Sequence, residues 1–440
     1  MVPGIDFSRA RRDLAELNPV RVSGRVTDVI GLVVEATGPG APVGSVCTIG
    51  GSRDDPNGPT IPAEVVGFRA GRVLLAPLGD LEGVSPGSRV TLVRERPLVR
   101  VGDAMLGRIL DGLGAPLDRG GALDCRAEYP LYGQRMNPLD RTPIREPLDL
   151  GIRAINALLT CGRGQRLGIF AGSGVGKSAL LGMMARYTRA DVNVIALVGE
   201  RGREVREFIE RDLGDAIGHS VVVVATSDQP PLVRIRGAFL ASAIAEYFRD
   251  QGKDVLLMMD SLTRVAMAQR EVGLSVGEPP AARGYTPSVF ALLPKLLERA
   301  GRGPQGSITG LYTVLVEGDD MNEPIADTAR SLLDGHIVLS RKLASDNHYP
   351  AIDVLSSISR VMLDITGPSQ QTQAGRVRSW LSTYREAEDL IQIGAYTRGA
   401  SPAIDEAITR LPAITTFLRQ SLGEPASLAD AEAALGALVR

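Results

Sequence analysis

A glycine-rich segment between an apolar run and a helical pattern is the feature that most constrains the fold of this chain. Residues 169–181 read IFAGSGVGKSALL, which predicts a buried strand, a tight turn and a helix in immediate succession. The glycines of such a turn allow several backbone N–H groups to point at one anion at the start of a helix. The segment therefore predicts a P-loop that binds a nucleoside triphosphate.

The chemistry of phosphate and Mg²⁺ binding explains which residue types occur in this P-loop. Lys177 supplies a positive charge for the β- and γ-phosphates, and the Ser178 hydroxyl can ligate Mg²⁺. The usual G-x-x-x-x-G-K-[ST] pattern has a glycine where this chain has Ala171, although Gly172 follows directly. The alternative, a flexible turn with a chance Lys-Ser pair, does not explain the flanking strand and helix. The residues predicted to bind the nucleotide are Gly172, Ser173, Gly174, Val175, Gly176, Lys177, Ser178 and Ala179.

Composition narrows the class of protein. The 440 residues carry a formal net charge of −2, so no basic field recruits nucleic acid or an anionic membrane. Residues 1–95 contain only two aromatic side chains, Phe7 and Phe68, a poor supply of stacking platforms for single strands. The three cysteines and three histidines are scattered singly, which argues against a disulfide framework or a metal site built by these residue types. Without a targeting signal or a long apolar run, we expect a cytoplasmic protein.

The apolar pattern predicts an α/β multidomain fold with three domains. Residues 1–95 are an N-terminal arm and β-barrel, 96–368 a P-loop domain with a parallel sheet, and 369–440 a helical domain. The arm contains an amphipathic pattern at 5–17, which fits a helix packed on its own domain and an exposed interaction arm equally well. A segment rich in turn residues, 51–59, predicts a loop.

Buried parallel strands are expected where short apolar runs alternate with helical segments. These runs are residues 166–171, 192–198, 220–225, 254–260, 308–316 and 336–340, whereas 96–150 is linker-like. Beyond 368 the pattern is helical: a stripe from Val377 to Ile391 is closed by Gly394, and further helices are expected near 402–411 and 427–439.

Two acidic residues stand at predicted strand ends. Asp260 follows the run 254–259, where a carboxylate can hold Mg²⁺ through its water shell; the alternative is a cap for the next helix. Glu200 follows the run 192–198 and can orient the water that attacks the γ-phosphate. Its alternative is a solvated charge cluster, since acidic and basic residues alternate from Arg201 onwards.

Several motifs together resemble those of the flagellum-specific type III export ATPases, which are related to the catalytic subunits of rotary F-type and V-type ATPases. The matching segments are GIFAGSGVGKS (168–178), LGMMARYTRAD (181–191), GERGREVR (199–206), GEPPAARGYTPS (277–288), VEGDDMNEP (316–324), GHIVLSR (335–341), YPAIDVLSSISR (349–360) and DLIQIGAY (389–396). The resemblance covers nearly the whole chain and is far more specific than a single P-loop.

The resemblance implies a role for particular residues. Lys177, Glu200, Arg201 and Arg360 are implied to be catalytic: Glu200 activates water, Arg201 lies beside it, and Arg360 is a finger inserted into the neighbouring subunit's site. Ser178, Asp260 and Glu204 are implied around the metal, with Arg264 one turn beyond Asp260. Tyr349 is implied to stack on adenine. From the residues alone, Tyr349 fits a core tyrosine better, and Arg360 fits an ordinary surface arginine.

The resemblance also implies that residues 96–368 form a RecA-like ATPase domain. It further implies an ATP- and Mg²⁺-dependent homohexamer that energises or primes flagellar protein export, cytoplasmic and peripheral at the inner membrane face. Its implied partners are a peripheral-stalk-like regulator, a central coiled-coil stalk protein near the loop 278–287, the export gate and chaperone–substrate complexes, but no nucleic acid. An injectisome export ATPase is the main alternative. A rotary ATPase catalytic subunit and an RNA translocase remain further alternatives.

Overall fold

A six-stranded closed barrel forms the first part of the chain. Its strands are β1 (Ser23–Ile30), β2 (Val33–Ala36), β3 (Val46–Gly50), β4 (Thr60–Arg69), β5 (Arg72–Pro77) and β6 (Arg89–Arg94), in the order β1-β2-β5-β4-β3-β6. Alternate side chains such as Cys47 and Ile49 point inwards and are fully buried. The predicted barrel is confirmed.

The computed structural model describes residues 22–50, 60–133, 136–316, 318 and 320–440. The predicted arm helix at 5–17 and loop at 51–59 lie outside these residues. The chain divides into two units, residues 1–97 with 274–278, and residues 98–273 with 279–440. Because the helical C-terminal segment belongs to the second unit, the predicted boundary near 368 stays a prediction.

The second unit contains a large, mostly parallel sheet. Its strands are β8 (Ile109–Asp111), β10 (Arg166–Ala171), β11 (Val192–Val198), β12 (Ser220–Ala225), β13 (Asp254–Asp260), β14 (Gly301–Arg302), β15 (Ser307–Leu315), β16 (Gly335–Leu339) and β17 (Ile352–Ser359). They run in the order β17-β16-β10-β15-β13-β11-β12-β8, with β14 paired to β15. A separate pair is formed by β7 (Leu98–Val101) and β9 (Ala127–Pro130). The predicted parallel sheet is confirmed.

Two parts of this unit differ from the sequence-based expectation. Residues 96–150 are not only a linker, because they contribute β7, β8 and β9, and β8 pairs in parallel with β12. Strand β17 also joins the sheet, antiparallel to β16. Both were missed because β8 has only three residues, and because β17 lies at the edge and alternates buried with exposed side chains.

Helices connect the strands and make up the C-terminal part of the chain. Their bounds are Arg153–Leu158, Lys177–Tyr187, Gly202–Glu207, Pro231–Asp250, Leu262–Ser275, Pro287–Leu297, Pro324–Leu332, Arg341–Ser345, Met362–Ile365, Pro368–Gln392, Pro402–Leu418 and Leu428–Val439. The last helix begins with a capping box of Ser427 and Asp430, which satisfies its first amides. Among the described helices, none combines the length and the apolar character needed to cross a membrane.

A continuous apolar core runs from the sheet into the C-terminal helices. Ile169 on β10, Leu181 on the helix that follows it, and Trp380 with Phe417 of the C-terminal helices belong to one buried cluster. Burial of this surface stabilises the fold by roughly 25 cal/mol per Å² of apolar area removed from water. The C-terminal helices are therefore packed on the sheet domain by the same core that holds the P-loop strand.

Candidate active site

The carboxyl ends of four neighbouring strands meet at one edge of the large sheet. Ala171 at the end of β10 pairs with Leu315 of β15, and Asp260 at the end of β13 pairs with Leu197 of β11. In open α/β sheets ligands bind at this edge. The predicted site segments that follow β10, β11 and β13 are therefore brought together by strand register.

The glycine-rich turn adopts the backbone conformation that its glycines permit. Gly174 has φ of 77° and Gly176 has φ of 88°, both in the left-handed region that L side chains rarely adopt. The following helix starts at Lys177, and its first intrahelical bond runs from Leu180 N–H to Gly176 C=O at 3.1 Å. The amides before Leu180 therefore form the type of helix N-terminus that accepts an anion.

Lys177 lies between two carboxylates. Its Nζ is 2.5 Å from Asp260 Oδ1 and 3.6 Å from Glu200 Oε1, and all three side chains are largely buried. Burial opposes the charge on Lys177, but the two carboxylates outweigh it and raise the pKa of this ammonium. The structure thus assembles a buried charge cluster, called here the Lys177 cluster, from Lys177, Glu200 and Asp260.

Asp260 is held by a residue of the neighbouring strand. Thr313 on β15 donates a hydrogen bond from Oγ1 to Asp260 Oδ1 at 2.7 Å. The hydrogen bonds recorded for this carboxylate come from Lys177 and Thr313, whereas the amide of Arg264 in the next helix bonds to Ser261 Oγ at 3.3 Å. The alternative that Asp260 caps that helix does not fit these bonds. Thr313 was not singled out from sequence, because 53 residues separate it from Asp260.

Glu200 differs from the acidic residues that follow it. Burial raises the pKa of Glu200 to about 7, with Lys177 opposing the shift and the Asp260 charge adding to it. A hydrogen bond between Glu200 and Glu204 adds to the raised pKa of Glu200 and lowers the pKa of Glu204. The solvated charge cluster exists, but it consists of exposed pairs, Arg203 with Glu207 at 3.5 Å and Arg206 with Glu210 at 2.7 Å.

The turn that carries Glu200 is shaped by Arg264. Its guanidinium donates to the Gly199 carbonyl at 2.9 Å, and a Cβ at Gly199 would lie 2.8 Å from the Cβ of Arg264. Gly199 also has φ of 71°, so glycine is required there for two reasons. Arg201, one residue beyond Glu200, has a side chain 78% exposed and lies 3.7 Å from Glu204. Arg201 is thus beside the Lys177 cluster but not bound into it.

Tyr349 lies against the glycine-rich turn. A Cβ built on Gly176 would be 3.3 Å from both Cδ1 and Cε1 of the Tyr349 ring. The side chain is 40% exposed, so the alternative of a core tyrosine does not hold. The ring therefore borders the P-loop and keeps a surface open to a ligand.

Within its own chain, Arg360 lies at the amino ends of the parallel strands, opposite the carboxyl ends that carry the Lys177 cluster. It follows β17, and its amide donates to the Asp334 carbonyl at 3.0 Å; Asp334 in turn binds Arg166 at the start of β10. The P-loop begins after the end of β10, six residues further, or about 20 Å at 3.3 Å per residue. The exposed guanidinium of Arg360 donates to the Arg330 carbonyl at 3.2 Å. The structure does not bring Arg360 together with the Lys177 cluster.

A protein-built metal cage is not present in the part of the chain that the structure describes, where no group of three or more His, Cys, Asp or Glu could hold a metal ion. The residues do fit a cation shared with phosphate oxygens, because Mg²⁺ is usually bound through one or two carboxylates plus substrate phosphates. Thr313 and Lys177 both bind Oδ1 of Asp260, so Oδ2 would be the oxygen offered to such an ion or its water shell.

Comparison with known families matches all three parts of the chain. Residues 151–359 match the ATP synthase alpha/beta family, nucleotide-binding domain, and residues 26–93 match the beta-barrel domain of the same family. Residues 366–437 match the T3SS EscN ATPase C-terminal domain.

Curated relatives align over nearly the full length. The chain is 55% identical to the flagellum-specific ATP synthase of Bacillus subtilis (strain 168), with 94% of each chain covered. It is 52% identical to the flagellum-specific ATP synthase of Salmonella typhimurium, covering 96% of this chain and 94% of the relative. It is also 52% identical to the type 3 secretion system ATPase of Xanthomonas euvesicatoria, covering 93% and 92%.

Solved structures agree in fold. The assembled ATPase EscN of the enteropathogenic E. coli type III secretion system superposes with a TM-score of 0.89 at 46% identity, covering 95% of this chain and 100% of that one. The assembled EscN in complex with its central stalk EscO gives a TM-score of 0.86 at 45% identity, with the same coverage.

Proposed function

The chain belongs to the ATP synthase alpha/beta family, and we propose that it hydrolyses ATP to energise or prime the export of flagellar proteins through a type III apparatus. The observation that carries this proposal is the Lys177 cluster at the carboxyl edge of the sheet, directly beside a glycine-rich turn. A structural ion pair alone does not require a left-handed glycine turn on one side and a buried glutamate with raised pKa on the other.

The phosphates and the base of ATP have separate binding groups. The turn 172–176 and the amides of the first helical turn offer N–H donors to the phosphates, and Lys177 adds its charge. When phosphate binds, Lys177 exchanges part of its contact with Asp260 for the phosphate oxygens. The exposed surface of the Tyr349 ring offers a stacking platform to adenine.

Mg²⁺ would be held by Ser178 and Asp260, with Glu204 further out, and would neutralise charge on the β- and γ-phosphates. Ser178 stands in the first turn of the P-loop helix, and Asp260 ends the next strand but one in the sheet. Thr313 holds the Asp260 carboxylate in a fixed rotamer, so its remaining oxygen has a defined direction.

Glu200 supplies the base for the attacking water. In its ionised form, the carboxylate accepts a hydrogen bond from water and orients it in line with the γ-phosphate. The pKa of about 7 is close to the operating pH, which suits a group that must accept a proton and release it. In this proposal Arg201, which is exposed and follows Glu200 in the chain, contacts the γ-phosphate region.

Arg360 completes the site of a neighbouring subunit. Because the length of β10, about 20 Å at 3.3 Å per residue, separates its neighbour Arg166 from the P-loop, we expect Arg360 not to reach the γ-phosphate bound in its own chain. A finger delivered across a subunit interface requires a ring, and a homohexamer is the assembly that we propose. Steady-state activity per chain should consequently rise with protein concentration.

The experiment that tests this function measures phosphate release by the purified full-length chain over a range of protein concentrations. We expect activity per chain to increase as rings assemble, and Glu200→Gln to lower kcat by about a hundredfold or more. Glu210→Gln, which changes an exposed acid paired only with Arg206, is the matched control. Hydrolysis that is absent from the parent, or unchanged in Glu200→Gln, would refute the proposal.

The flagellar assignment is the finer part of the proposal. It is motivated by the Gly-Ser-Gly-Val-Gly run at 172–176, while relatives named for flagella and for type 3 secretion have similar identity. We propose as partners a central coiled-coil stalk, a peripheral-stalk-like regulator, the export gate and chaperone–substrate complexes, met at the inner membrane face. A pull-down with the full chain distinguishes the two systems, because the recovered gate and stalk subunits are either flagellar or injectisome components. RNA-stimulated hydrolysis would instead favour a translocase.

A further inference from the structure

A loop of the C-terminal helical segment contacts the nucleotide site on two sides. The loop, residues 419–427, joins the helices Pro402–Leu418 and Leu428–Val439. Its Gln420 N–H donates to the Tyr349 carbonyl at 3.0 Å, and its Leu422 carbonyl accepts from the Tyr187 hydroxyl at 2.7 Å, at the end of the P-loop helix. The loop thus binds the residue that borders the P-loop and also the helix that the P-loop begins.

The side chain of Gln420 is fully engaged. It is only 5% exposed, and its Oε1 accepts from the Arg153 amide at 2.7 Å. Its Nε2 donates to the Gly151 carbonyl at 2.8 Å and to the Glu424 carbonyl at 2.6 Å. A primary amide has two N–H donors and one oxygen, so every group of this side chain is used. The bonds fix where the backbone N–H of residue 420 points.

The residues that Gln420 binds are themselves fixed. Gly151 has φ of 70°, and a Cβ there would lie 2.2 Å from the Cβ of Tyr187. Its amide donates to Asp149 Oδ1 at 2.8 Å, and the same oxygen accepts from Asn156 Nδ2 at 2.8 Å. Gln420 is therefore anchored to a rigid buried part of the sheet domain, since buried amides without partners are costly.

From this geometry we propose that Gln420 is a positioning residue that holds the Tyr349 ring in place for the nucleotide base. The proposal rests on the proposed function, in which Tyr349 stacks on adenine. Gln420 touches no nucleotide in this role; it acts through the Tyr349 carbonyl. Because the ring lies beside Gly176, where a Cβ built on that residue would come within 3.3 Å of it, a displaced Tyr349 should lose its stacking position while the P-loop amides and Lys177 stay in place.

The test uses the full-length chain with Gln420→Met, which keeps the length of the side chain and removes its hydrogen bonds. We expect KM for ATP to rise about tenfold, the order of one lost base–aromatic contact, while kcat changes less than about twofold. Pyrophosphate, a probe with phosphates but no base, should inhibit the variant as well as it inhibits the parent. Gln392→Ala, an exposed glutamine bonded only to Glu388 in its own helix, is the matched control.

A double-mutant cycle separates positioning from general loosening. In a Tyr349→Ala chain, adding Gln420→Met should leave KM for ATP unchanged, because the ring that Gln420 positions is gone. Should Gln420→Met not fold, Gln420→Glu keeps an acceptor for the Arg153 amide and replaces the donors by a carboxylate oxygen that the Gly151 and Glu424 carbonyls repel; it should raise KM in the same way. An unchanged KM in the folded variant, or equal weakening of ATP and pyrophosphate, would overturn the proposal. Loss of ATP hydrolysis by the parent would instead contradict the proposed function.

Discussion

Tyr349 precedes the strand β17 and Arg360 follows it, so the two residues lie at opposite ends of the sheet strands. Tyr349 precedes the strand and borders Gly176, whereas Arg360 follows it and bonds to Asp334 beside the start of β10. The strand is antiparallel to β16, so its amino end lies at the P-loop edge. One short segment thus places the Tyr349 ring beside the P-loop and the Arg360 guanidinium at a different surface of the same chain.

Mixing two inactive variants tests whether Arg360 acts in trans. We expect Arg360→Ala alone to lower kcat by about a thousandfold or more, because an arginine finger contributes about 10³–10⁵ in rate. A mixture with Glu200→Gln should regain activity, since some interfaces then pair an intact Glu200 with an intact Arg360. Phosphate release by each chain and by the mixture is the measurement.

The control for this mixing is Arg126→Ala, an exposed arginine paired only with its near neighbour Asp124, which should hydrolyse ATP like the parent. Full activity of Arg360→Ala alone, or a mixture no more active than the sum of its parts, would contradict the trans arrangement.

Thr313→Val tests whether the neighbouring strand orients Asp260. Loss of a buried hydrogen bond to a charged group costs about 1.5–3 kcal/mol, so we expect the Mg²⁺ concentration for half-maximal ATPase to rise about tenfold or more. Titration of ATPase activity with Mg²⁺ provides the measurement. Thr309→Val on the same strand removes a comparable buried hydroxyl, which accepts from the Gly164 amide at 2.8 Å away from the site. That control should lower thermal stability without altering the Mg²⁺ dependence; equal Mg²⁺ curves for both variants would refute the idea.

Gly176→Ala should weaken nucleotide binding more than it weakens the fold. The methyl group would meet the Tyr349 ring at 3.3 Å, and φ of 88° costs an L residue roughly 1–2 kcal/mol. Equilibrium binding of ATP should fall at least about fivefold, with a small change in the thermal midpoint. Gly202→Ala, where an added Cβ meets nothing within 4 Å, is the matched control and should bind like the parent. Unaltered ATP affinity in Gly176→Ala would show that the turn tolerates a side chain.

The bond between Asp118 and Arg108 should make part of the free energy of unfolding depend on pH. Hydrogen bonds from the Arg108 guanidinium hold the pKa of Asp118 well below its usual range, and the amides of Ile109 and Gly120 add to the effect. Because this pKa is lowered by folding, ionised Asp118 contributes fully to the free energy of unfolding at pH values above the pKa of Asp in the unfolded chain, near 3.9. The contribution is lost as the pH falls below that value. We expect Asp118→Asn to cost about 1–3 kcal/mol at pH 7.

The difference between parent and Asp118→Asn in urea unfolding should be constant from pH 7 to pH 5 and shrink below about pH 4. Asp124→Asn provides the control. Asp124 forms an exposed ion pair with Arg126, 2 residues away, so this change should have little effect on the free energy of unfolding at any pH. A difference that stays constant into acid would show that Asp118 stabilises the fold without its charge.

Deletion of residues 1–17 tests the proposed regulator contact. The amphipathic pattern at 5–17 lies outside the described residues, so the expectation rests on sequence and resemblance. We expect the truncated chain to lose binding to the purified peripheral-stalk-like regulator while its affinity for ATP is unchanged. Calorimetric titration with each ligand distinguishes the two, and an unchanged affinity for the regulator would refute the contact.

Short stretches of sequence were enough to predict those strands and helices whose apolar pattern is complete within the stretch itself. The strands ending at Ala171, Val198 and Asp260 were predicted to the residue, because continuous apolar runs mark fully buried parallel strands. Strand β8 was missed because three residues carry no measurable periodicity, and its place in the sheet depends on pairing with β12. Whether Asp260 caps the next helix and whether Tyr349 is buried could not be decided locally, because both depend on contacts with residues distant in the chain, such as the bond from Thr313 to Asp260.

By itself, the sequence determined the P-loop, the acidic residues at two strand ends and the order of barrel, sheet and helices. These depend on backbone freedom, apolar periodicity and residue chemistry, which act over short stretches of chain. The tertiary structure alone decided that Lys177 lies between Glu200 and Asp260, that the Gln420 amide bonds to the Tyr349 carbonyl, and that Arg360 lies at the opposite end of the sheet strands from the P-loop. Strand register and helix docking set those distances, since both depend on contacts between residues tens to hundreds of positions apart.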